Sequence, residues 1–292
     1  MSDSLPGLER IAERLAQLTA TLERLVPQGA GAPDWGASIA FRWRASSGRL
    51  DPIAHPATLR LEDLQNIERQ KEELARNTRQ FVAGLPANNA LLWGSRGTGK
   101  SSLVKAILNA YASDGLRLIE VDRHDLVDLP TIVDLLYDRK ERFLVYCDDL
   151  SFEASDASYK ALKVALDGTI SAAGDNVLIY ATSNRRHLMP ETMQDNQQAR
   201  AIEGEIHPGE AVEEKISLSD RFGLWLSFYP FAQDEYLNIV QHWLGQLGVA
   251  ARLGDDQEWR AAALRWALAR GSRSGRTAWQ FARDWAGRQG LK

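Results

Sequence analysis

Residues 94–101 read GSRGTGKS, and they separate an apolar run, Leu91-Leu92-Trp93, from a helix-like stretch that extends from Lys100 to Tyr111. The stretch contains three glycines, and glycine adopts backbone conformations that are closed to other residues. Backbone amides of such a loop can point inward at an anion, and the N-terminus of the following helix adds positive potential. The sequence therefore predicts a strand, a loop and a helix that together hold a polyphosphate.

The spacing of this stretch matches G-x-x-x-x-G-K-[ST], the pattern of a P-loop. Lys100 would place a point charge on the terminal phosphates, and the Ser101 hydroxyl suits Mg²⁺, which keeps several waters and uses few protein ligands. We expect ATP and Mg²⁺ as the cofactors. The predicted nucleotide-binding residues are Gly94, Ser95, Arg96, Gly97, Thr98, Gly99, Lys100, Ser101 and Ser102.

A second apolar run, Phe143 to Cys147, ends in two acids, Asp148 and Asp149. An acid at the carboxyl end of a buried strand lies where open α/β sheets bind their ligands. We therefore predict that Asp148 binds Mg²⁺ together with Ser101, as in a Walker B motif. Asp149 would then be the catalytic group that polarises the attacking water.

A third run, Val177 to Thr182, is followed by Ser183 and Asn184. The Asn184 amide could hold the lytic water or sense the γ-phosphate. The alternative is an asparagine that only forms a turn, because turns favour this residue for their own chemistry.

The fold class follows from the order of the apolar runs. Continuous runs of this length fit strands that are buried on both faces, and their alternation with helical stretches favours a parallel sheet. We predict an α/β fold of the P-loop NTPase type, with a five-stranded parallel sheet flanked by helices. The five strands are Ala90–Trp93, Leu116–Val121, Phe143–Cys147, Val177–Thr182 and Leu224–Phe228.

Three regions are expected along the chain. Residues 1–58 would form an N-terminal extension, with an amphipathic helix over 8–25, a linker and a short strand from Ile39 to Arg44. Residues 59–230 would form the nucleotide-binding core, which starts with a helix over 61–82 and contains a long insertion loop over 190–218. Residues 231–292 would form a small all-helical domain.

Composition excludes several other classes of protein. The chain has 292 residues, a formal net charge of −4 and one cysteine, so no intrachain disulfide can form. No apolar run approaches the ~18 residues that a membrane helix needs. The N-terminus carries acids and lacks the apolar segment of a secretory signal. We expect a cytoplasmic protein that does not associate with membranes.

The C-terminal segment, residues 259–292, carries seven arginines and one lysine against one acid, and it contains four tryptophans. Tryptophan and arginine can stack on single-stranded nucleic acid. The alternative is that helical spacing buries the tryptophans, while the arginines face phosphate, acidic neighbours or water. We favour the alternative and keep nucleic acid as a possible partner.

With these motifs in order, the chain resembles the AAA+ ATPases, the P-loop proteins with a helical lid. The resemblance implies that Arg221, in the sequence SDRFG at 219–223, is an arginine finger that reaches the ATP of a neighbouring subunit. It also implies that Arg276 contacts the γ-phosphate from the lid and that Leu64 to Gln70 pack on the adenine. Both arginines would be catalytic, and the protein would be a homo-oligomer.

Over residues 60–290 the sequence more closely resembles an uncharacterised bacterial AAA+ family known only as a domain of unknown function. The likeness is carried by NTRQFVAGLPANNALLWGSRGTGKSS, CDDLSFE, EIHPGEAVEEKISLSDRFGLWLSF and RSGRTAWQFA. This resemblance implies nucleotide binding and hydrolysis, and it implies no substrate.

One departure from the AAA+ pattern affects the expected rate. Most AAA+ proteins have Asp-Glu at the end of Walker B, whereas this chain has Asp148-Asp149. Because Asp149 is one methylene shorter than glutamate, we expect slow, oligomer-dependent ATP hydrolysis.

Two functions are consistent with these features. The first is an ATPase that hydrolyses ATP at subunit interfaces to remodel or switch an unidentified protein or nucleoprotein client. The second is an ATP-dependent adaptor or loader with little hydrolysis, which binds a protein or DNA partner. A third interpretation, a small-molecule kinase, needs an acceptor pocket and a catalytic base, and the sequence identifies neither.

Overall fold

The computed structural model describes Arg14 and residues 33–137, 139–152, 157–167, 175–186, 188, 200–202, 205–207, 218–249 and 256–290. The amphipathic helix predicted over 8–25 lies outside the described residues, except for Arg14. Much of the predicted 190–218 loop also lies outside them. Its described part includes two short paired strands, Arg200–Ile202 and Glu205–His207.

The strands of the described residues are numbered in chain order. They are β1 Ala40–Arg44, β2 Arg49–Pro52, β3 Ala90–Gly94, β4 Leu116–Glu120, β5 Arg142–Cys147, β6 Val177–Ser183, β7 Arg200–Ile202, β8 Glu205–His207 and β9 Leu224–Phe228. Seven of them form one sheet in the order β2-β1-β4-β5-β6-β3-β9. All neighbours in this sheet are parallel except β1 and β2.

The predicted α/β class is confirmed, and the five predicted strands are β3, β4, β5, β6 and β9. The sheet is nevertheless larger than the predicted five strands. β1 pairs with β4 in parallel, and β2 pairs with β1 as an antiparallel edge. Both added strands lie in the range 1–58, so part of the predicted extension belongs to the main sheet. β2 (RLDP) gave no strand signal because it is short and polar, as an edge strand can be.

Seven α-helices surround the sheet in the described part of the chain. They are α1 Glu68–Val82, α2 Lys100–Tyr111, α3 Leu129–Leu136, α4 Ala157–Asp167, α5 Gln233–Gln246, α6 Asp256–Ala269 and α7 Gly275–Gly290. The last three helices confirm the prediction of helices at the C-terminus.

The prediction of a single helix over 61–82 was wrong. A 3₁₀ turn occupies Leu61–Asp63, and α1 begins only at Glu68. Asn66 lies between them at a φ of 62°, a left-handed conformation that asparagine tolerates better than most residues. The Asn66 side chain donates to the carbonyl of Glu235 on α5 at 2.9 Å, which fixes this break in the helix.

The core has two layers, one on each face of the sheet. Neighbouring strand residues enter opposite layers because side chains alternate along a strand. Leu92 and Leu144 pack with α1, α2 and the C-terminal helices, whereas Leu91 and Val145 pack with α3 and α4. This packing holds the carboxyl ends of β3, β5 and β6 at one edge, where the predicted site residues begin.

Substitution of the glycine at the end of β3 tests how tightly this edge is packed. A Cβ on Gly94 would overlap the backbone of Phe228 on β9, and its φ is 130°. We expect Gly94→Ala to lower the free energy of unfolding by about 3 kcal/mol or more, because overpacking adds to backbone strain. Denaturant unfolding measures the change.

The matched control is Gly48→Ala. Gly48 has a φ of 59°, and a Cβ there would meet nothing within 4 Å. This variant should lose only the strain, about 1–2 kcal/mol. Equal losses at the two positions would contradict the predicted clash at Gly94.

Candidate nucleotide-binding site

A cavity of about 960 Å³ opens at the carboxyl ends of β3, β5 and β6. The loop between β3 and α2 forms its floor, and α5 and α7 contribute to its wall. Of the predicted site residues, Arg96 to Ser102, Asp148, Asp149, Asn184 and Arg276 line the cavity. Gly94 and Ser95 lie at the base of the loop, where their carbonyls accept hydrogen bonds from Lys100.

The loop has the backbone conformation that its glycines predict. Gly97 and Gly99 have φ values of 75° and 102°, and α2 starts directly after Gly99. Gly97 also lies against the start of α7, since its carbonyl accepts from the Arg276 amide at 3.3 Å. A Cβ on Gly97 would lie 2.8 Å from Ser274 Oγ. The loop is therefore packed between α2 and α7.

Lys100 connects the loop to the end of β6. Its Nζ donates to the carbonyls of Gly94 and Ser95, both at 2.8 Å, and to Asn184 Oδ1 at 3.1 Å. Burial lowers the pKa of the Lys100 ammonium, and the carboxylates of Asp149 and Asp148 counter part of that effect. Because neutral oxygens are poor substitutes for an anion, this ammonium can gain from a phosphate in the cavity.

Asp148 is held by two hydroxyls. Ser101 Oγ donates to Asp148 Oδ1 at 2.7 Å, and Thr182 Oγ1 donates to the same oxygen at 2.6 Å. Burial by itself raises the pKa of the Asp148 carboxyl, but the hydrogen bonds from Thr182 and Ser101 outweigh it and keep the pKa below its ordinary value. The carboxylate is thus ionised at neutral pH.

Thr182 was missed by the sequence analysis. It is buried at the end of β6, and its hydroxyl both donates to Asp148 and accepts from the Asp149 amide at 2.9 Å. A threonine at the end of an apolar strand is common for its β propensity alone. The sequence therefore held no signal that separated this role from that of an ordinary strand residue.

Asp149 adopts an uncommon backbone conformation, with a φ of 53°. Aspartate tolerates this left-handed region better than most residues do. Its Oδ1 accepts a short hydrogen bond from Asn184 Nδ2. The Asn184 amide therefore binds Lys100 through its oxygen and Asp149 through its nitrogen, which is more than a turn-forming asparagine needs.

The other end of the cavity is apolar and aromatic. Leu64 and Ile67 contribute from the segment before α1, Phe231 from the segment before α5, Trp243 from α5 and Trp279 from α7. The rings of Trp243 and Trp279 meet edge to face, with centroids 4.7 Å apart. The sequence analysis did not place the two tryptophans in the site, because tryptophans at helical spacing are most often core residues.

The two arginines that the resemblance singled out lie in different places. Arg276, at the start of α7, lines the cavity. Arg221 does not line it, and its Nε donates instead to Asp167 at the end of α4. The cavity of one chain is therefore formed without Arg221.

The donor set at this end of the cavity fits Mg²⁺. Ser101 and Asp148 present adjacent oxygens, and Mg²⁺ favours a few oxygen ligands completed by waters and substrate phosphates. Within the residues that the structure describes, no group of three or more His, Cys, Asp or Glu side chains could hold a metal by itself.

The glycine loop, the paired oxygens of Ser101 and Asp148, and the mostly parallel sheet with C-terminal helices are the features of a P-loop α/β fold. The family model described as "Protein of unknown function (DUF815)" matches residues 36–289, and the chain belongs to this family. The predicted resemblance to a family known only as a domain of unknown function is thereby confirmed. No curated protein matches the sequence.

Among solved structures, the chain is similar to the RuvB Holliday junction branch migration motor of Thermotoga maritima. The two are 14% identical, and the match covers 77% of this chain and 63% of that one with a TM-score of 0.48. It is also similar to the Orc1 protein of Aeropyrum pernix in complex with DNA, at 16% identity, 76% and 65% coverage and a TM-score of 0.42. The chain spans less than two thirds of either structure. Helices that could cross a membrane are absent from its described part.

Replacement of Thr182 by valine, which has the same shape, tests whether its hydroxyl holds Asp148. We expect Thr182→Val to lower the free energy of unfolding by about 1–3 kcal/mol at pH 7, because two partly buried hydrogen bonds are lost. Asp148 has a lowered pKa in the folded state, so its contribution is present above the unfolded pKa and disappears as the pH falls through the folded pKa.

The difference between wild type and Thr182→Val should therefore shrink as the pH is lowered from 7 to about 4 and below. The hydrogen bond from the Asp149 amide to Thr182 does not titrate, so part of the difference in the free energy of unfolding should persist at low pH. Thr182→Ser keeps the hydroxyl and is the control, with a pH dependence like that of wild type. A difference that does not change with pH would contradict the assignment.

Proposed function

We propose that this protein binds ATP with Mg²⁺ in the cavity and hydrolyses it slowly at interfaces between copies of the chain. The hydrolysis would remodel or switch a protein client. The observation that carries the proposal is the hydrogen-bonded chain Lys100–Asn184–Asp149, which lies beside the Ser101–Asp148 pair. Each of these groups has a defined task in phosphoryl transfer, and all of them line one cavity.

The loop amides and Lys100 would bind the phosphates, with Ser101 and Asp148 as the protein ligands of Mg²⁺. When bound, Mg²⁺ neutralises charge that develops on the phosphate oxygens. Asp149 would orient the attacking water, and Asn184 would keep its carboxylate directed at the phosphate end of the cavity. Catalysis of this kind rests on positioning and charge stabilisation.

Arg221 would act on the nucleotide of a neighbouring copy. The support is that Arg221 does not line the cavity of its own chain, although it is partly exposed. An arginine supplied in trans contributes ~10³–10⁵ in rate to related reactions. Arg276 would contact the terminal phosphate from α7 of the same chain, so that nucleotide binding would couple the C-terminal helices to the loop.

A protein client is favoured over nucleic acid by the surroundings of the C-terminal tryptophans. Trp259 is buried, and the guanidinium of Arg270 stacks on Trp266 at 3.5 Å from the ring centroid. Arg260 and Arg283 also lie over tryptophan rings, at 4.9 Å from the centroid of Trp259 and 5.8 Å from that of Trp279. These arginine and tryptophan side chains interact with each other and do not form an open stacking platform.

The second candidate is an ATP-dependent adaptor or loader with little hydrolysis. It is favoured by Asp149, because this carboxylate is short and accepts a hydrogen bond from Asn184. A carboxylate that is bonded in this way is less available to a water. Cytoplasmic location and the oligomer remain parts of the proposal. The three predicted regions also remain, except that β1 and β2 belong to the main sheet and not to the extension.

Substitution of Arg221, the proposed arginine finger, tests whether hydrolysis takes place at an interface between copies of the chain. We expect Arg221→Ala to lower steady-state phosphate release by about 10³-fold, with ATP affinity unchanged, because the charge acts only in the transition state. Arg288→Ala is the control, since Arg288 also forms an exposed ion pair, with Asp284. Lys100→Ala should abolish ATP binding. Wild-type turnover in Arg221→Ala would rule out the finger.

Replacement of Asp149 by the longer glutamate distinguishes the two candidate functions. We expect Asp149→Glu to raise phosphate release several-fold at unchanged ATP affinity, because the carboxylate regains reach toward the water. Asp149→Asn should bind ATP and release no phosphate. Persistent bound ATP with negligible release, in both the wild type and Asp149→Glu, would favour the adaptor instead.

A further inference from the structure

A buried hydroxyl beside the proposed magnesium site has no assigned role. Tyr146 lies on β5 and is 2% exposed. Its Oη makes no hydrogen bond of good geometry with the part of the chain that the structure describes. A buried polar group without a partner is costly, and phenylalanine would fill the same space without that cost. The hydroxyl is thus a candidate for a bond that forms in another state of the site.

The neighbours of this hydroxyl indicate which state that is. Tyr146 precedes Asp148 by two residues, and its Oη lies beside the side chains of Ser101, Asp148 and Thr182. Ser101 and Thr182 both donate to Asp148 Oδ1. Among the described residues, no hydrogen bond of good geometry reaches the other carboxylate oxygen, Oδ2. A donor and an unused acceptor therefore lie side by side at the metal end of the cavity.

We propose that Tyr146 is a positioning residue of the magnesium site, whose hydroxyl donates to the Asp148 carboxylate when Mg²⁺ is bound. Ser101 Oγ is needed as a metal ligand in that state, so a second donor would keep the carboxylate in its orientation. Outer hydrogen bonds of this kind orient ligands and raise metal affinity. The inference rests on the proposed function, since it assigns a residue to the magnesium site of that function.

The neighbouring strand provides a matched control. Tyr180 on β6 is the register partner of Tyr146, and it is also buried. Its hydroxyl already has two partners, Asn77 Nδ2 at 3.0 Å and Thr78 Oγ1 at 2.9 Å. Removal of the Tyr180 hydroxyl therefore breaks two hydrogen bonds of the fold, whereas removal of the Tyr146 hydroxyl breaks none of good geometry among the described residues.

The test compares Tyr146→Phe with Tyr180→Phe in the full chain. Binding of a non-hydrolysable ATP analogue is followed by calorimetry at increasing Mg²⁺, and again in EDTA. Tyr146→Phe should need about 10-fold more Mg²⁺ for half-maximal enhancement of binding. Its nucleotide affinity in EDTA and its melting temperature without ligand should match those of wild type. Tyr180→Phe should melt several degrees lower, with a wild-type Mg²⁺ requirement.

Two results would overturn the inference while the proposed function stands. One is a wild-type Mg²⁺ requirement in Tyr146→Phe. The other is a ligand-free melting temperature of this variant that falls as far as that of Tyr180→Phe, because the hydroxyl would then serve the fold. If wild type itself bound no nucleotide with Mg²⁺, the proposed function would fail and the inference with it.

Discussion

The Asp148 carboxylate is the point at which the parts of the site are joined. It directly follows β5, it accepts from Ser101 on α2, and it accepts from Thr182 on β6. The sheet alone would bring these three elements near one another, but only hydrogen bonds set the orientation of each side chain. Asp148 is exposed, and the two hydroxyls take the place of water as donors to one of its carboxylate oxygens. Their short bonds keep the group ionised beside the loop.

A second hydrogen-bonded group, Lys100–Asn184–Asp149, lies beside this cluster and brings in a positive charge. Lys100 and Asp149 carry opposite charges, and the Asn184 amide bridges them without direct contact being required. A neutral bridge of this kind can reorient at a lower cost than an ion pair can break, because no charge is left without a partner. A phosphate that binds Lys100 would thereby free the Asn184 oxygen. Nucleotide binding and the orientation of Asp149 would then be coupled through one side chain.

The parts of this site that could be predicted from sequence are those whose chemistry is local. The loop is one continuous stretch, and Asp148 directly follows an apolar run, so both were recognisable with their strands. Thr182 was not, because its role depends on a cross-strand contact with Asp148. Trp243 and Trp279 were not predicted in the site for a related reason, since only the packing of α5 against α7 turns them toward the cavity. The edge strand β2 has too few apolar residues to be predicted as a strand from the sequence.

The pair Asp148-Asp149 has a structural consequence as well as a catalytic one. At the end of β5 the chain must turn so that successive acids both reach the same cavity, although alternation along a strand would direct them to opposite faces. The φ of 53° at Asp149 makes this turn, and aspartate tolerates that conformation better than a longer side chain does. The Asp149 amide is then available to Thr182, and the carboxylate to Asn184. Aspartate at position 149 thus fits the turn that brings its carboxylate into the site. The same short side chain reduces the reach of that carboxylate toward a water.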